Sequence, residues 1–472
     1  MRKRALSAAA CAALVFVPAA CAGGGPQTTP PTPRDGDPAT ADAAFASTYV
    51  PLPAQTTVIR NATVMTAAGP TMEAADVLMV NGRIEAVGAG LDSPAGALEV
   101  DGAGKWVTPG IIDTHSHMGV YSAPGGASLS DGNEATAPNT AEVWAEHSVW
   151  TQDPQFALAL AAGVTTFHVL PGSANLFGGR GVTLRNVPAR TTQGMKFPGA
   201  PYTLKMACGE NPMRVYGNRG RSPSTRMGNV AGYRSAWIEA AEYKRRRDRW
   251  RSDGSDPHEE PRRNLQSETL AGVLAGDILI QNHCYRGDEM AVMLDIAREF
   301  GYRIASFHHA VEAYKVRDRL AETGTCASMW ADWWGFKLES YDGIRANIAL
   351  VDEAGACAIL HTDDAGGIQR MNVDAAVALA AGLEAGMDLD RDDALRWITI
   401  NPARALGIAD EVGSLEGGKR ADVVVWSGDP FSIYSEPELV FIDGALAYDR
   451  ADASRQPLSD FMLGNLPEEV IP

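Results

Sequence analysis

The chain has 472 residues, of which 45% are hydrophobic and 21% charged, and 58 acidic against 41 basic side chains give a formal net charge of −17. This is ordinary globular composition, which excludes disorder of the chain as a whole. The acidity argues against general nucleic-acid binding and otherwise bears on solubility more than on any partner.

The first predicted element is an export signal over residues 1–21. Arg2, Lys3 and Arg4 precede the apolar stretch ALSAAACAALVFVPAAC, which is too short and too alanine-rich for a membrane span. Ala19-Ala20-Cys21 is similar to a bacterial lipobox, in which the cysteine is lipidated and becomes the mature N-terminus, although Pro18 stands where leucine is usual. A lipid-anchored protein of the bacterial cell envelope is the preferred expectation, and a simply secreted or periplasmic form the alternative. Residues 22–47 are rich in Pro, Gly and Thr and read as a tether. Cys208, Cys284, Cys326 and Cys357 are widely spaced in apolar surroundings and form no CxxC zinc motif. Free buried thiols are expected, although export permits disulfides.

Residues 48–107 contain short β-like runs, TTVIRNATVMTA, ADVLMVNGRIEAVG and ALEVDGAGKWV, separated by Gly, Asn and Asp turns. The NGR segment between two apolar runs signals a hairpin. The same texture returns over residues 409–450 in ADVVVWSGDP and ELVFIDGALAYD, before a C-terminal tail, 451–472. Residues 108–408 instead alternate strand candidates (GVTTFHVL, YTLKMAC, DILIQNHC, RIASFHH, CASMW, ACAILHTD) with amphipathic helical stretches. That alternation predicts a parallel α/β architecture, and a (β/α)8 TIM-type barrel fits the length. The basic stretch EYKRRRDRWR, residues 242–251, reads as a solvated helix face in an acidic chain.

Chemistry gathers at the ends of these strands, where such a barrel carries its active site. In VTPGIIDTHSHMG, His115 and His117 are two residues apart, so a strand projects both from one face. His283 ends DILIQNH, His309 ends RIASFHH, and Asp363 follows ACAILHT. Neutral imidazoles and a carboxylate on neighbouring strands suit zinc or a similar divalent metal, as one or two ions. Strand alternation turns His308 away from His309 and favours His309 as the ligand. His361, two residues before Asp363, is read as a substrate contact, a support to a ligand or a packing residue. His147, His168 and His258 match no ligand position.

TPGIIDTHSH resembles the first-strand motif of the metal-dependent amidohydrolase superfamily. NGRIEAVG, GKWVTPGIID, NPARALGI and GSLEGGKRADVVVW are similar to its flanking segments, and LKMACGENPMRVYG and HHAVEAYKV are similar to its branch related to imidazolonepropionase and Xaa-Pro dipeptidases. The resemblance implies a small β-sandwich domain formed by the N- and C-terminal segments. It also implies that His115 and His117 bind a buried metal, that His283 and His309 bind a second, and that Asp363 is both ligand and base. The fourth strand contributes a bridging acid in this family, and the chain offers Glu210 or, if carboxylated, Lys205. Glu210 is preferred because it stands nearer the C-terminal end of the strand and needs no modification.

The expected activity is hydrolysis of a non-ester C–N bond in a small substrate, such as a dipeptide, N-acyl amino acid or cyclic amide, by a metal-activated hydroxide with Asp363 as proton shuttle. Arg180 and Arg214 are candidates to hold a substrate carboxylate. Trp330, Trp333 and Trp334 line a pocket mouth or pack on barrel helices. FGGRG, residues 177–181, reads as a glycine-rich loop without the spacing of a phosphate-binding loop. The expected partners are a small-molecule substrate, the membrane through a lipid anchor only, and further copies of the chain, with no nucleic acid. A deaminase of the same family is the rival enzyme, weakened because Glu289 stands six residues beyond His283 where three is usual, although Glu312 stands three after His309; an inactive binding or scaffold lipoprotein is the rival class.

Overall fold

In the computed structural model, residues 44–254 and 256–455 are described. The export signal with Cys11 and Cys21, the tether up to residue 43 and the tail from residue 456 lie outside the described residues. The described residues from Phe45 onward form one compact unit.

The N-terminal β-like runs form β1 (Thr57–Val64), β2 (Met72–Val80), β3 (Arg83–Gly88), β4 (Leu98–Asp101) and β5 (Trp106–Pro109). Asn81 and Gly82 join β2 to β3 with φ of 51° and 78°, the paired positive φ values that a two-residue hairpin needs. The barrel strands follow as β6 (Ile111–Ser116), β7 (Val164–Val169), β8 (Phe177–Arg185), β9 (Thr203–Ala207), β10 (Leu279–His283), β11 (Ile304–His308), β12 (Cys326–Met329) and β13 (Ala358–Leu360). The C-terminal segment adds β14 (Val423–Trp426), β15 (Pro437–Ile442) and β16 (Ala445–Asp449).

β14 pairs antiparallel with β5, so the two ends of the chain share one eight-stranded sheet, in the order β16-β15-β14-β5-β1-β2-β3 with β4 beside β1. Its core is apolar, drawn from both halves of the sheet: Ile59, Val64, Val77, Ile84, Val107, Val425 and Phe441 are all buried. A buried ion-pair cluster, Arg185 with Asp422 at 2.5 Å and Asp443 at 3.3 Å, ties this sheet to β8.

The second sheet, β6 to β13 in sequence order, is a nearly closed barrel of eight strands. Seven strands run in one direction, but β8 is antiparallel to both β7 and β9, contrary to the all-parallel expectation. The reason lies in the link: only residues 170–176 separate β7 from β8, too few for the helical crossover a parallel neighbour requires. FGGRG is accordingly the start of a buried strand and not a loop. Gly179 has φ 118°, and a Cβ there would fall 2.5 Å from the Val143 carbonyl oxygen, so the backbone itself fills that space.

Helices pack outside the barrel on a continuous apolar layer. The longest, Arg226–Ser252, buries Tyr233, Ala236, Trp237 and Ala240 at the spacing of one helix face. Its basic stretch is mostly solvated and laced with the i,i+4 pairs Lys244–Asp248 and Arg246–Glu242, although Arg247 is buried against Glu260 at 3.0 Å.

The four cysteines are not free. Cys208, just past β9, is bonded to Cys284, just past β10, and Cys326, opening β12, to Cys357, just before β13. Neighbouring parallel strands in register bring together cysteines that are 76 and 31 residues apart in sequence.

Candidate metal centre

The polar side chains inside the barrel form a chain of hydrogen bonds that runs up to its mouth. Gln281 on β10 donates through Nε2 to the Ala405 carbonyl, so its Oε1 accepts from His308 Nε2 at 2.7 Å. The His308 Nδ1 then carries a lone pair and takes the His115 Nδ1–H at 2.9 Å. His115 is thereby fixed with its Nε2 lone pair turned toward the mouth. His117 donates its Nδ1–H to the Leu170 carbonyl at 2.9 Å, which leaves its Nε2 lone pair 3.3 Å from that of His115.

Asp363 completes the convergence, its Oδ1 lying 3.0 Å from His117 Nε2 and 3.4 Å from His115 Nε2. Its backbone N–H donates to the His115 carbonyl, and Thr362 Oγ1 donates to Asp113 Oδ2, so two bonds span the gap between β13 and β6. On the far side His361 Nε2 accepts from both the N–H and the Nδ1–H of His309, leaving His309 Nε2 facing Asp363 Oδ2 at 3.6 Å. His309 and Asp363 both have positive φ, 58° and 59°, a conformation that costs a side-chain-bearing residue and is found where a site requires it.

His283 is buried beside His309, with ring centroids 4.8 Å apart, and neither of its nitrogens has a hydrogen-bond partner among the described residues. Among the described residues, two groups of three side chains stand close enough to share a cation: His115, His117 and Asp363, and His115, His308 and His361. Two lone pairs and a carboxylate oxygen that face one another, next to a buried and unpartnered imidazole, fit a divalent cation better than they fit each other.

Burial holds the imidazoles of His115, His283, His308 and His309 well below the usual histidine range, and lowers His361 to about 4. All five are therefore neutral at pH 7, the form that binds metal. Burial likewise lowers the Lys205 ammonium to about 7 and raises the Asp113 carboxyl to about 7.

Several sequence expectations change here. Lys205 and not Glu210 reaches the histidines: Lys205 is fully buried on β9 with Nζ 3.3 Å from His115 Nε2. Strand β9 ends at Ala207, Gly209 turns with φ 77°, and Glu210 opens a helix, its carboxylate 3.3 Å from Lys337 Nζ. His308 is not turned away, because the positive φ of His309 breaks the alternation and lets both rings face inward. Arg180 points out of the barrel, donating to Thr269 Oγ1 at 2.9 Å with its guanidinium 4.2 Å from the centre of the Trp144 ring, and Arg214 is exposed on the helix Glu210–Gly217. His361 belongs to the histidine cluster itself. His168 bridges Thr114 and Thr203 inside the barrel and holds no position at the mouth. Asp113, two residues before His115 on the same strand face, escaped the sequence reading; the i, i+2 spacing that singled out His115 and His117 also reaches it.

The Amidohydrolase family model matches residues 280–450. A solved amidohydrolase from Thermotoga maritima MSB8 is 36% identical, with TM-score 0.77, over 83% of this chain and 100% of that one. Amidohydrolase tasK of Hapsidospora irregularis is 31% identical over 79% of this chain, which spans 40% of that protein's length. A 5-methylthioadenosine/S-adenosylhomocysteine deaminase from Symbiobacterium thermophilum is 26% identical over 78% of this chain and 84% of its own. The chain belongs to the metal-dependent amidohydrolase superfamily, hydrolases acting on C–N bonds.

Proposed function

We propose that this protein hydrolyses the amide or peptide C–N bond of a small substrate. His115, His117 and Asp363 would hold one divalent ion and His283 and His309 a second, with Lys205 beside His115 as a further ligand. The imidazole and carboxylate set suits zinc. A divalent cation there supplies, when bound, a water acidified to a pKa of about 7 and a polarised scissile carbonyl.

Asp363 takes the proton of the attacking water and delivers it to the leaving nitrogen as the C–N bond breaks. Lys205 is suited to carboxylation: burial favours its neutral amine, which adds CO2 to form an N–C bond and releases a proton to solvent. His308 and Gln281 keep His115 in the tautomer that directs Nε2 to the mouth. The observation that carries this reading is the convergence of the His115 and His117 Nε2 lone pairs with Asp363 Oδ1.

The test is a screen of metal-loaded protein on dipeptides and N-acyl amino acids, with Asp363→Asn as control. Release of free amine by the wild type and its loss in the variant are expected. The deaminase relative favours a second reading, in which the same centre releases ammonia from an amino-substituted ring; ammonia without amino acid in that screen selects it.

We read the sheet of the chain ends as the β-sandwich domain that accompanies the barrel in this superfamily. We further propose that the protein is exported to the cell envelope, a reading supported by Ala19-Ala20-Cys21 and by two disulfides that an oxidising compartment would maintain.

A further inference from the structure

The centre opens onto an aromatic wall. Trp330 stacks on His309, ring centroids 4.5 Å apart at 26°, and donates its Nε1–H at 2.8 Å to the carbonyl of Thr362, the residue before Asp363. The indole is thus pinned to two elements of the centre. Trp333 stacks on Trp330 at 5.2 Å and 26°, while Phe336 meets Trp330 edge-on at 6.0 Å and stands 6.2 Å from Tyr285. Trp333 is 38% and Phe336 58% exposed, so a continuous aromatic surface runs from His309 out to solvent. The nearby cation is engaged elsewhere: Lys337 Nζ lies 3.8 Å from the centre of the Tyr285 ring and pairs with Glu210 and Glu339. An exposed apolar surface continuous with a reaction centre marks a ligand site, and indole faces bind rings by offset stacking.

We propose that Trp330, Trp333 and Phe336 form the subsite for an aromatic side group of the substrate, so that the preferred substrates are dipeptides or acyl amides with an aromatic residue beside the scissile bond. This rests on the hydrolytic reading above.

The experiment compares metal-loaded protein on dipeptides that differ only in phenylalanine or alanine on either side of the scissile bond. At least one phenylalanine member should exceed its alanine partner in kcat/KM by about tenfold or more, mainly through KM, as a specificity pocket of this kind provides. Trp333→Ala should collapse that ratio toward one, and Trp333→Phe should restore most of it. Cleavage without phenylalanine preference, or a preference that survives in Trp333→Ala, overturns the subsite and leaves the hydrolase reading standing. If no peptide is cleaved, calorimetric titration with N-acetylphenylalanine decides: saturable binding by the wild type that Trp333→Ala weakens about tenfold supports the wall, and no saturable binding removes it.

Discussion

The sheet built from the chain ends encloses Ile59, Val77, Val107, Val425 and Phe441, side chains with nothing to donate or accept. The barrel sheet encloses His115, His168, Lys205, Gln281, His308 and Ser328, all fully buried. Burying those polar groups costs free energy unless each finds a partner. Most do: Thr114 bonds Ser328, Ser328 bonds Ser306, and Gln281, His308 and His115 are linked in series. The series stops at the mouth, where His283 has no partner among the described residues and three acceptors face each other. One sheet is filled for stability; the other holds in register a set of groups that is complete only with something bound.

The contrast can be broken at either end. The largest expected effect is on catalysis: Asp363→Asn should lower kcat roughly a thousandfold, and because Asp363 is also a ligand its metal affinity should fall, so that activity stays low even when excess metal restores the content measured by mass spectrometry. Next, Lys205→Ala should lose metal affinity and activity by about 10- to 100-fold, whereas Glu210→Gln should change metal content little, because its carboxylate pairs with Lys337. Equal losses in the two variants would return Glu210 to the centre. In the apolar sheet, Phe441→Ala should remove about 3–5 kcal/mol of stability in denaturant melts, with kcat unchanged in the protein that remains folded.

The smallest effect is on pH dependence. Histidines whose folded pKa lies below the unfolded value contribute stability that is present above about pH 6.5 and lost as pH falls through that value, since only the unfolded chain then binds the protons. His115, His168, His283, His308, His309 and His361 all shift this way. Asp113, raised to about 7, and Asp374, raised to about 6, act in the opposite sense from about pH 4 upward and offset part of the effect of the six histidines. Metal-free protein should therefore melt several degrees lower at pH 5.5 than at pH 7.5; a flat profile would mean that the cluster is already protonated in the fold.

The position of His115, His117, His283, His309 and Asp363 at or just past strand ends is legible in the sequence, because it follows the alternation of apolar runs. What escaped depends on local backbone geometry. The preference for Glu210 assumed a strand reaching residue 210, whereas the turn at Gly209 ends it and leaves Lys205 as the inward side chain. The exclusion of His308 assumed regular alternation, which the positive φ of His309 breaks. The reversed β8 was hidden because glycines 178, 179 and 181 signal a loop, and its pairing is set by neighbours distant in sequence. The disulfides had a usable signal: Cys208 and Cys284 each end a strand candidate, and the two strands are neighbours in the barrel.

The central claim is that the converging histidines and Asp363 form a hydrolytic metal centre. Its most direct test is to strip the purified protein with a chelator and restore one divalent metal at a time, following metal content and amide hydrolysis together. The account predicts one or two bound ions per chain, activity lost on removal and recovered in proportion to the metal restored. Amide hydrolysis at full rate in protein shown to be metal-free would contradict it.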